Sequence, residues 1–124
     1  MITRRGAIAL GALLAAFPGR VLAVEENKRF GLIGKITARP GQRGELLMLL
    51  LQGSAEMPGC LSYIVAEDAA NVDVLWVIEA WETEAAHKAS LAIPAVREAI
   101  GKARPLIAGF ATVGTTRPVG GLGL

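Results

Sequence analysis

A β-hairpin signal in the middle of the chain is the feature that most constrains the fold. Residues 72–81 (VDVLWVIEAW) are rich in β-branched and aromatic side chains, and residues 61–67 (LSYIVAE) form a second run of this kind. Only residues 68–71 (DAAN) separate the two runs. Strand-forming segments joined by so short a turn pair as antiparallel neighbours. The sequence therefore predicts a hairpin, and the rest of the domain must extend this sheet and cover it.

The segments on either side of the hairpin supply the remaining elements. Residues 30–38 (FGLIGKITA) show the alternation of a strand and are followed by the breaker Arg39-Pro40-Gly41. The elements predicted along the chain are a strand over 30–38, a helix over 42–56, the hairpin strands over 61–67 and 72–81, a helix over 83–93, a short helix over 95–103 and a strand over 106–113. Their order is β-α-β-β-α-β.

This order predicts an α+β fold, the ferredoxin-like βαββαβ sandwich. In such a fold one four-stranded antiparallel sheet carries both helices on the same face. The opposite face of the sheet is left bare, and a small domain does not leave a large apolar face in water. We therefore expect two copies of the chain to pair as a homodimer through that face. Residues 114–124 are apolar and glycine-rich and show no regular pattern.

The N-terminus has the pattern of an export signal. Residues 1–5 (MITRR) are basic, residues 6–17 form an uncharged apolar run of 12 residues, and Val21-Leu22-Ala23 offers a cleavage site near Ala23. The run is too short to span a bilayer, which takes about 20 residues, so no stable membrane insertion is expected. The pair Arg4-Arg5 suits the twin-arginine route, with general secretion as the alternative. The predicted division is a signal over 1–23, a domain over 24–113 and a tail over 114–124, located in the periplasm or outside the cell.

Removal of this signal changes what the composition means. The full chain has 13 basic and 11 acidic side chains, and three of the arginines leave with residues 1–23. The remaining domain is close to neutral, which gives no basic face for nucleic acid. Cys60 is the only cysteine and His87 the only histidine. They exclude an intrachain disulfide and a structural zinc site, and we expect no metal.

Several short motifs occur in a fixed order along the predicted elements. They are Arg39-Pro40-Gly41-Gln42, Pro58-Gly59-Cys60-Leu61, Glu79-Ala80-Trp81-Glu82, Ala85-Ala86, Pro94 and Arg104-Pro105-Leu106. In this order and spacing, the segment 30–110 resembles the antibiotic biosynthesis monooxygenase domain, which includes quinol monooxygenases and anthrone oxygenases. The resemblance implies that the two copies of the sandwich pair as a dimeric α+β barrel.

The resemblance also implies an activity, namely the oxidation of a small quinol or polyphenol by O₂ with no cofactor. The expected partners are then a small aromatic substrate, O₂ and a second copy of the chain. One alternative is a dimeric-barrel protein that binds a ligand or acts in a stress response without turnover. Another is a haem-binding or haem-degrading variant, although Gly34 stands where some haem-degrading relatives have an asparagine.

Five side chains are candidates for the site. The resemblance implies that Trp81 lines the pocket and that a helix histidine is the proton acceptor or a substrate contact. His87 follows Trp81 by six residues, whereas many relatives have their histidine nine residues after the tryptophan, at the position of Ser90. Ser90 and Tyr63 offer hydroxyl groups to a substrate oxygen, and Arg104 offers a charge to an anionic intermediate. Each of the five could instead be a packed or solvated side chain.

Two further residues near these candidates have simpler interpretations. We expect Glu79 to be an ion-pair partner on the sheet face rather than a base. We expect Cys60 to be a small buried apolar side chain. Neither is assigned to the site from the sequence.

Overall fold

The computed structural model describes residues 26–124. The predicted export signal, residues 1–23, lies outside the described residues. The strands are β1 (Phe30–Ala38), β2 (Cys60–Glu67), β3 (Val74–Trp81) and β4 (Ile107–Thr116). The helices are α1 (Arg43–Gly53), α2 (Glu84–Ser90) and α3 (Pro94–Ala103), and a short 3₁₀ turn (Arg104–Leu106) leads into β4. Within the described residues, no helix is both long and apolar enough to cross a membrane.

The four strands form one antiparallel sheet in the order β2-β3-β1-β4. The hairpin predicted from the sequence is the pair β2-β3, and β3 also pairs with β1. With the helices between the strands, this is the ferredoxin-like α+β architecture, and the predicted fold class is confirmed.

The core lies between the sheet and the helices. Its buried members include Ile36 of β1, Leu75 and Val77 of β3, Leu46 of α1 and Ala103 of α3. Leu46 and Leu75 have no exposed surface at all. Because strand side chains alternate between faces, residues 75, 77, 79 and 81 of β3 all point to this side of the sheet.

Several element ends differ from the prediction by one to three residues, and for helix α2 the cause is local. Helix α2 ends at Ser90 rather than at residue 93, because the residue before Pro94 avoids the helical region and Ile93 has ψ 129°. The intervening residues form i→i+3 bonds, as in Ile93 N–H to Ser90 C=O at 3.1 Å. Helix α1 ends at Gly53 rather than at residue 56, and β3 starts at Val74 rather than at residue 72.

Strand β4 is longer than the sequence indicated. The prediction ended it at residue 113 and left 114–124 without regular structure, but β4 continues to Thr116. A shift of register between Ile33 and Gly34 lets β4 continue along β1, where Gly114 pairs with Ile33 and Thr116 with Gly31. The pairing partner, rather than the local sequence, holds these residues in the sheet.

The face of the sheet opposite the helices carries a row of three isoleucines. Ile64 of β2 pairs with Ile78 of β3, and Ile78 pairs with Ile33 of β1. Ile64 is 53% exposed and Ile78 is 37% exposed. Adjacent apolar side chains across three strands form a continuous patch rather than isolated surface residues.

The hairpin turn is held by Asp68. One carboxylate oxygen accepts a hydrogen bond from Trp76 Nε1 at 2.8 Å, and the other accepts from the backbone N–H groups of Ala70 and Asn71 at 3.0 and 2.7 Å. Arg43 of α1 donates to the Asn71 carbonyl at 2.9 Å, which ties the turn to the first helix. The bond from Trp76 and then those from the backbone lower the pKa of Asp68 from 3.8 to about 2.

This pKa makes the contribution of Asp68 to stability dependent on pH. The folded-state pKa is lower than the unfolded one, so the contribution is present above about pH 4 and is lost as the pH falls towards 2. We expect Asp68→Asn to be less stable than wild type at pH 7, with the difference shrinking between pH 4 and 2. Urea unfolding at a series of pH values measures this. A difference in stability that stayed constant across that range would contradict the assignment.

Candidate functional site

An apolar cavity of about 200 Å³ lies between the helix face of the sheet and the three helices. Its walls are mostly aliphatic, with Ile36, Leu50 and Ile100 among them. All five side chains proposed from the sequence line it, and so does Glu79: the set is Tyr63, Glu79, Trp81, His87, Ser90 and Arg104. The fold thus brings together side chains that are as far as 41 residues apart in sequence.

The hairpin strands place three of these residues side by side. Tyr63 of β2 is the cross-strand partner of Glu79 of β3, and Trp81 follows Glu79 by two residues on the same face. Trp81 is only 1% exposed. The paired strands therefore supply a rigid, polar-edged wall to a cavity that is otherwise apolar.

Helix α2 places His87 and Ser90. Thr83 is the N-cap, with extended backbone and a side-chain oxygen that accepts from the Ala86 N–H at 3.0 Å. Residues three apart lie on the same helix face, so His87 and Ser90 both point at the sheet.

The imidazole of His87 is fixed by two rings and a carboxylate. Its centroid is 5.3 Å from that of Phe30 and 5.4 Å from that of Trp81. Its Nε2 lies 3.9 Å from Glu79 Oε1, and the side chain is 19% exposed. This separation is too long for a hydrogen bond but close enough for an ion pair once the imidazole gains a proton. The structure holds a titratable group at the cavity next to a counter-charge.

The sequence did not indicate that Glu79 lines the cavity. It was expected to be an ion-pair partner on the sheet face. Its side chain is 12% exposed, it lines the cavity, and Oε1 accepts a hydrogen bond from Trp81 Nε1 at 2.9 Å. The only sequence signal for this position was the two-residue spacing from Trp81, which puts both residues on one face of β3.

The two hydroxyl groups of the cavity differ in what they offer. The Ser90 hydroxyl donates to the His87 carbonyl at 2.6 Å, so its proton is used inside the helix. The Tyr63 hydroxyl makes no hydrogen bond to any of residues 26–124 that the structure shows. Burial, and then the nearby charge of Glu79, raise the pKa of Tyr63 well above its usual value of 10. At neutral pH this hydroxyl is a donor without a protein acceptor.

Arg104 and Cys60 lie at the periphery. Arg104 begins the 3₁₀ turn after α3, lines the cavity and is exposed, and its guanidinium pairs with no carboxylate in the described part of the chain. Cys60 does not line the cavity; it is half-buried, with Sγ 3.5 Å from the Ser62 carbonyl. Burial raises the pKa of its thiol, which keeps it protonated at neutral pH.

The sequence interpretation did not find Phe110, which also lines the cavity. This β4 residue is 60% exposed, and its ring lies over Gly34 of β1. A Cβ atom at residue 34 would be 3.4 Å from Phe110 Cε1. A Cβ atom there would be in ordinary van der Waals contact with the ring, so Phe110 covers the sheet at Gly34.

The polar groups of the cavity comprise a carboxylate, an imidazole, two hydroxyls, an indole and a guanidinium. Among residues 26–124, no three His, Cys, Asp or Glu side chains lie close enough together to hold a metal ion. A carboxylate, an imidazole, a phenol and an indole at one end of an apolar cavity suit a small aromatic ligand with a polar substituent.

Comparison with known proteins places the chain among similar folds. A family model described as antibiotic biosynthesis monooxygenase matches residues 29–102. The solved structure of a candidate antibiotic biosynthesis monooxygenase from Chloroflexus aurantiacus J-10-fl is 49% identical, with a TM-score of 0.71 over 75% of this chain and 95% of that one. A second from Caulobacter crescentus CB15 is 19% identical, with a TM-score of 0.68 over 83% and 99%. At the lower identity the similarity shows the fold alone. No curated protein matches the chain.

The hydrogen bond between Trp81 and Glu79 can be measured by a double-mutant cycle. We expect Trp81→Phe and Glu79→Leu to show a coupling of about 1.5–3 kcal/mol in the free energy of unfolding, because the bond is charge-assisted and shielded from water. Urea unfolding of the two single variants and the double variant gives this value. Trp81→Phe combined with Glu82→Leu is the matched control, since Glu82 is exposed. A coupling as small as that of the control would contradict the bond.

Proposed function

This chain belongs to the antibiotic biosynthesis monooxygenase family, and on that premise we propose that it oxidises a small quinol or polyphenol with O₂ and without a cofactor. The observation that carries the proposal is the cavity itself. It is apolar, and it holds the only histidine of the chain against a carboxylate and a tryptophan ring. Side chains suited to bind an aromatic ring and to accept a proton from its hydroxyl group therefore line the same cavity.

The size of the cavity favours a small ring system. An engineered cavity of about 150 Å³ takes up benzene, and this one measures about 200 Å³. One ring or two fused rings suit a cavity of that volume. Of the ligand classes considered from the sequence, a quinol or small polyphenol agrees best with the space.

The proposed oxidation requires few catalytic groups from the protein. A quinol that loses a hydroxyl proton becomes a phenolate, which is electron-rich enough to pass one electron to O₂. The resulting phenoxyl radical and superoxide then combine at a ring carbon, a proton completes the hydroperoxide, and loss of water leaves a hydroxylated quinone. One oxygen atom of O₂ enters the product and the other leaves as water. The protein has to take the proton, hold the anion and keep bulk water away.

The cavity residues suit these tasks. His87 accepts the proton, and the Glu79 carboxylate at 3.9 Å stabilises the imidazolium that results. The indole of Trp81 forms a flat wall for the ring, and Arg104 at the mouth offers a positive charge to the anionic intermediate. Ser90 keeps free lone pairs on its oxygen, although its proton is bonded within the helix.

Oxygen uptake tests the proposal. The purified domain is expected to consume O₂ with at least one of a panel of hydroquinones faster than autoxidation does. His87→Ala should lower the rate about 100-fold or more, because it removes the proton acceptor, and Trp81→Phe should lower it as well. Lys88→Ala is the matched control on α2, since Lys88 is exposed and does not line the cavity.

Other outcomes of this experiment separate the alternatives. Ligand binding without any O₂ uptake would favour a non-catalytic binding protein. A Soret band on addition of haem would favour the haem-binding variant. Uptake that is unchanged in His87→Ala would contradict the role given to the imidazole.

The proposal includes a homodimer that pairs the bare faces of two sheets. It is supported by the isoleucine row Ile33-Ile78-Ile64, which leaves an apolar patch exposed in a single copy. A second copy offers a face of the same shape and character, so a two-fold arrangement covers both patches at once.

Light scattering tests the dimer. The wild-type domain is expected to have twice the mass of one chain. Ile78→Glu should weaken association at least about 100-fold, because each copy would bring a carboxylate into an apolar interface. Val72→Glu is the control, since Val72 is 73% exposed but lies in the hairpin turn. A wild-type protein with the mass of a monomer would contradict the proposal directly.

Export of the enzyme to the periplasm or beyond is also proposed. Its support is the order of basic, apolar and small residues over 1–23. Cleavage near Ala23 would release the domain that carries the cavity.

A further inference from the structure

Two polar groups on the inner wall of the cavity are not satisfied by the protein. The Tyr63 hydroxyl donates to none of the residues 26–124, and only Oε1 of the Glu79 carboxylate accepts a hydrogen bond there, from Trp81. The two residues are direct cross-strand partners on β2 and β3, so their side chains leave the sheet together. No hydrogen bond joins them. An unpaired donor and an unpaired acceptor thus border the same part of the cavity.

The two groups are chemically complementary to a single ligand group. The raised pKa of Tyr63 keeps its hydroxyl protonated and able to donate. The ionised carboxylate of Glu79 can only accept. A hydroxyl group is the simplest substituent that donates one hydrogen bond and accepts another at the same atom.

Leaving both groups unpaired is costly in this setting. Glu79 is 12% exposed, and the surrounding wall is aliphatic and aromatic. A buried polar group without a partner costs more free energy than a typical hydrogen bond contributes, and native proteins pair nearly all such groups with protein, water or ligand. We therefore expect the Tyr63 hydroxyl and the Glu79 carboxylate to form hydrogen bonds with a polar group that enters the cavity.

We propose that Tyr63 and Glu79 form a hydroxyl-binding subsite. In it, Glu79 accepts a hydrogen bond from the O–H group of an aromatic ligand, and Tyr63 donates a hydrogen bond to the same ligand oxygen. This proposal rests on the proposed function, because it names the chemical group of the ligand that the cavity recognises. It adds a direct ligand contact to the role of Glu79 as the counter-charge of His87, and it gives the Tyr63 hydroxyl a defined partner. The ligand hydroxyl then lies beside Glu79, whose Oε1 is 3.9 Å from His87 Nε2.

This arrangement predicts the ligand class. An aromatic compound with a free hydroxyl pairs both groups. An aryl ether or a methyl group in the same place leaves Glu79 without a donor. An aryl carboxylate brings a like charge against Glu79. The subsite therefore selects phenols and quinols in their neutral form over equally small aromatics without an O–H.

Binding measured in the absence of O₂ tests the subsite independently of turnover. The ligands are hydroquinone and p-xylene, which has methyl groups in place of the hydroxyls, and the method is isothermal titration calorimetry. Glu79→Gln keeps the shape of the side chain and removes its charge, and Tyr63→Phe removes only the hydroxyl. Each is expected to weaken hydroquinone binding about 10-fold or more and to change p-xylene binding by less than about 3-fold. Glu82→Gln is the matched control and should change neither.

Each other result overturns the proposal. Equal losses for the two ligands would show that the variants disturb the cavity as a whole. Unchanged hydroquinone binding in both variants would remove the subsite, as would a wild-type protein that binds no hydroquinone. Circular dichroism confirms that each variant is folded. Selective loss of hydroquinone binding in a protein that consumes no O₂ would support the subsite and contradict the oxygenation, so the two proposals fail separately.

Discussion

Strand β3 is hydrogen-bonded along both of its edges, to β2 and to β1, and the rest of the structure depends on that pairing. Double pairing fixes which side chains of β3 face the helices, because a shift of one residue would exchange the two faces. Leu75 and Val77 then form the core, and Glu79 and Trp81 form the cavity wall. One strand thus contributes core side chains at one end and side chains of the cavity at the other.

The cavity contains few polar groups, and the electrostatic effect of each one is larger because the surroundings are apolar. In apolar surroundings a carboxylate that accepts an indole N–H is held firmly, and here the imidazole of His87 lies 3.9 Å from it. The rings of Phe30 and Trp81 limit the movement of that imidazole. The substrate proposed here becomes reactive once it loses a proton and needs no larger set of groups.

The elements that could be predicted from the sequence are those with a strong local signal. The hairpin, the first strand and the Thr83 cap were predictable because alternation, turn residues and a capping side chain act over a few residues. The extension of β4 to Thr116 was not, because it depends on pairing with β1 across a change of register. Phe110 was missed for a related reason: its place over Gly34 follows from how β4 lies beside β1.

The sequence by itself determined the order of the elements, the family resemblance and the candidate side chains, since these follow from patterns along the chain. It could not show the surroundings of Glu79, because the sequence pattern of a strand is the same whether its carboxylate lies in water or in a cavity. Only the tertiary structure decided that Glu79 lines a cavity and lies 3.9 Å from His87. The physical reason is that the exposure of Glu79 and its approach to His87 arise from the packing of α2 against β3, which no local stretch of sequence encodes.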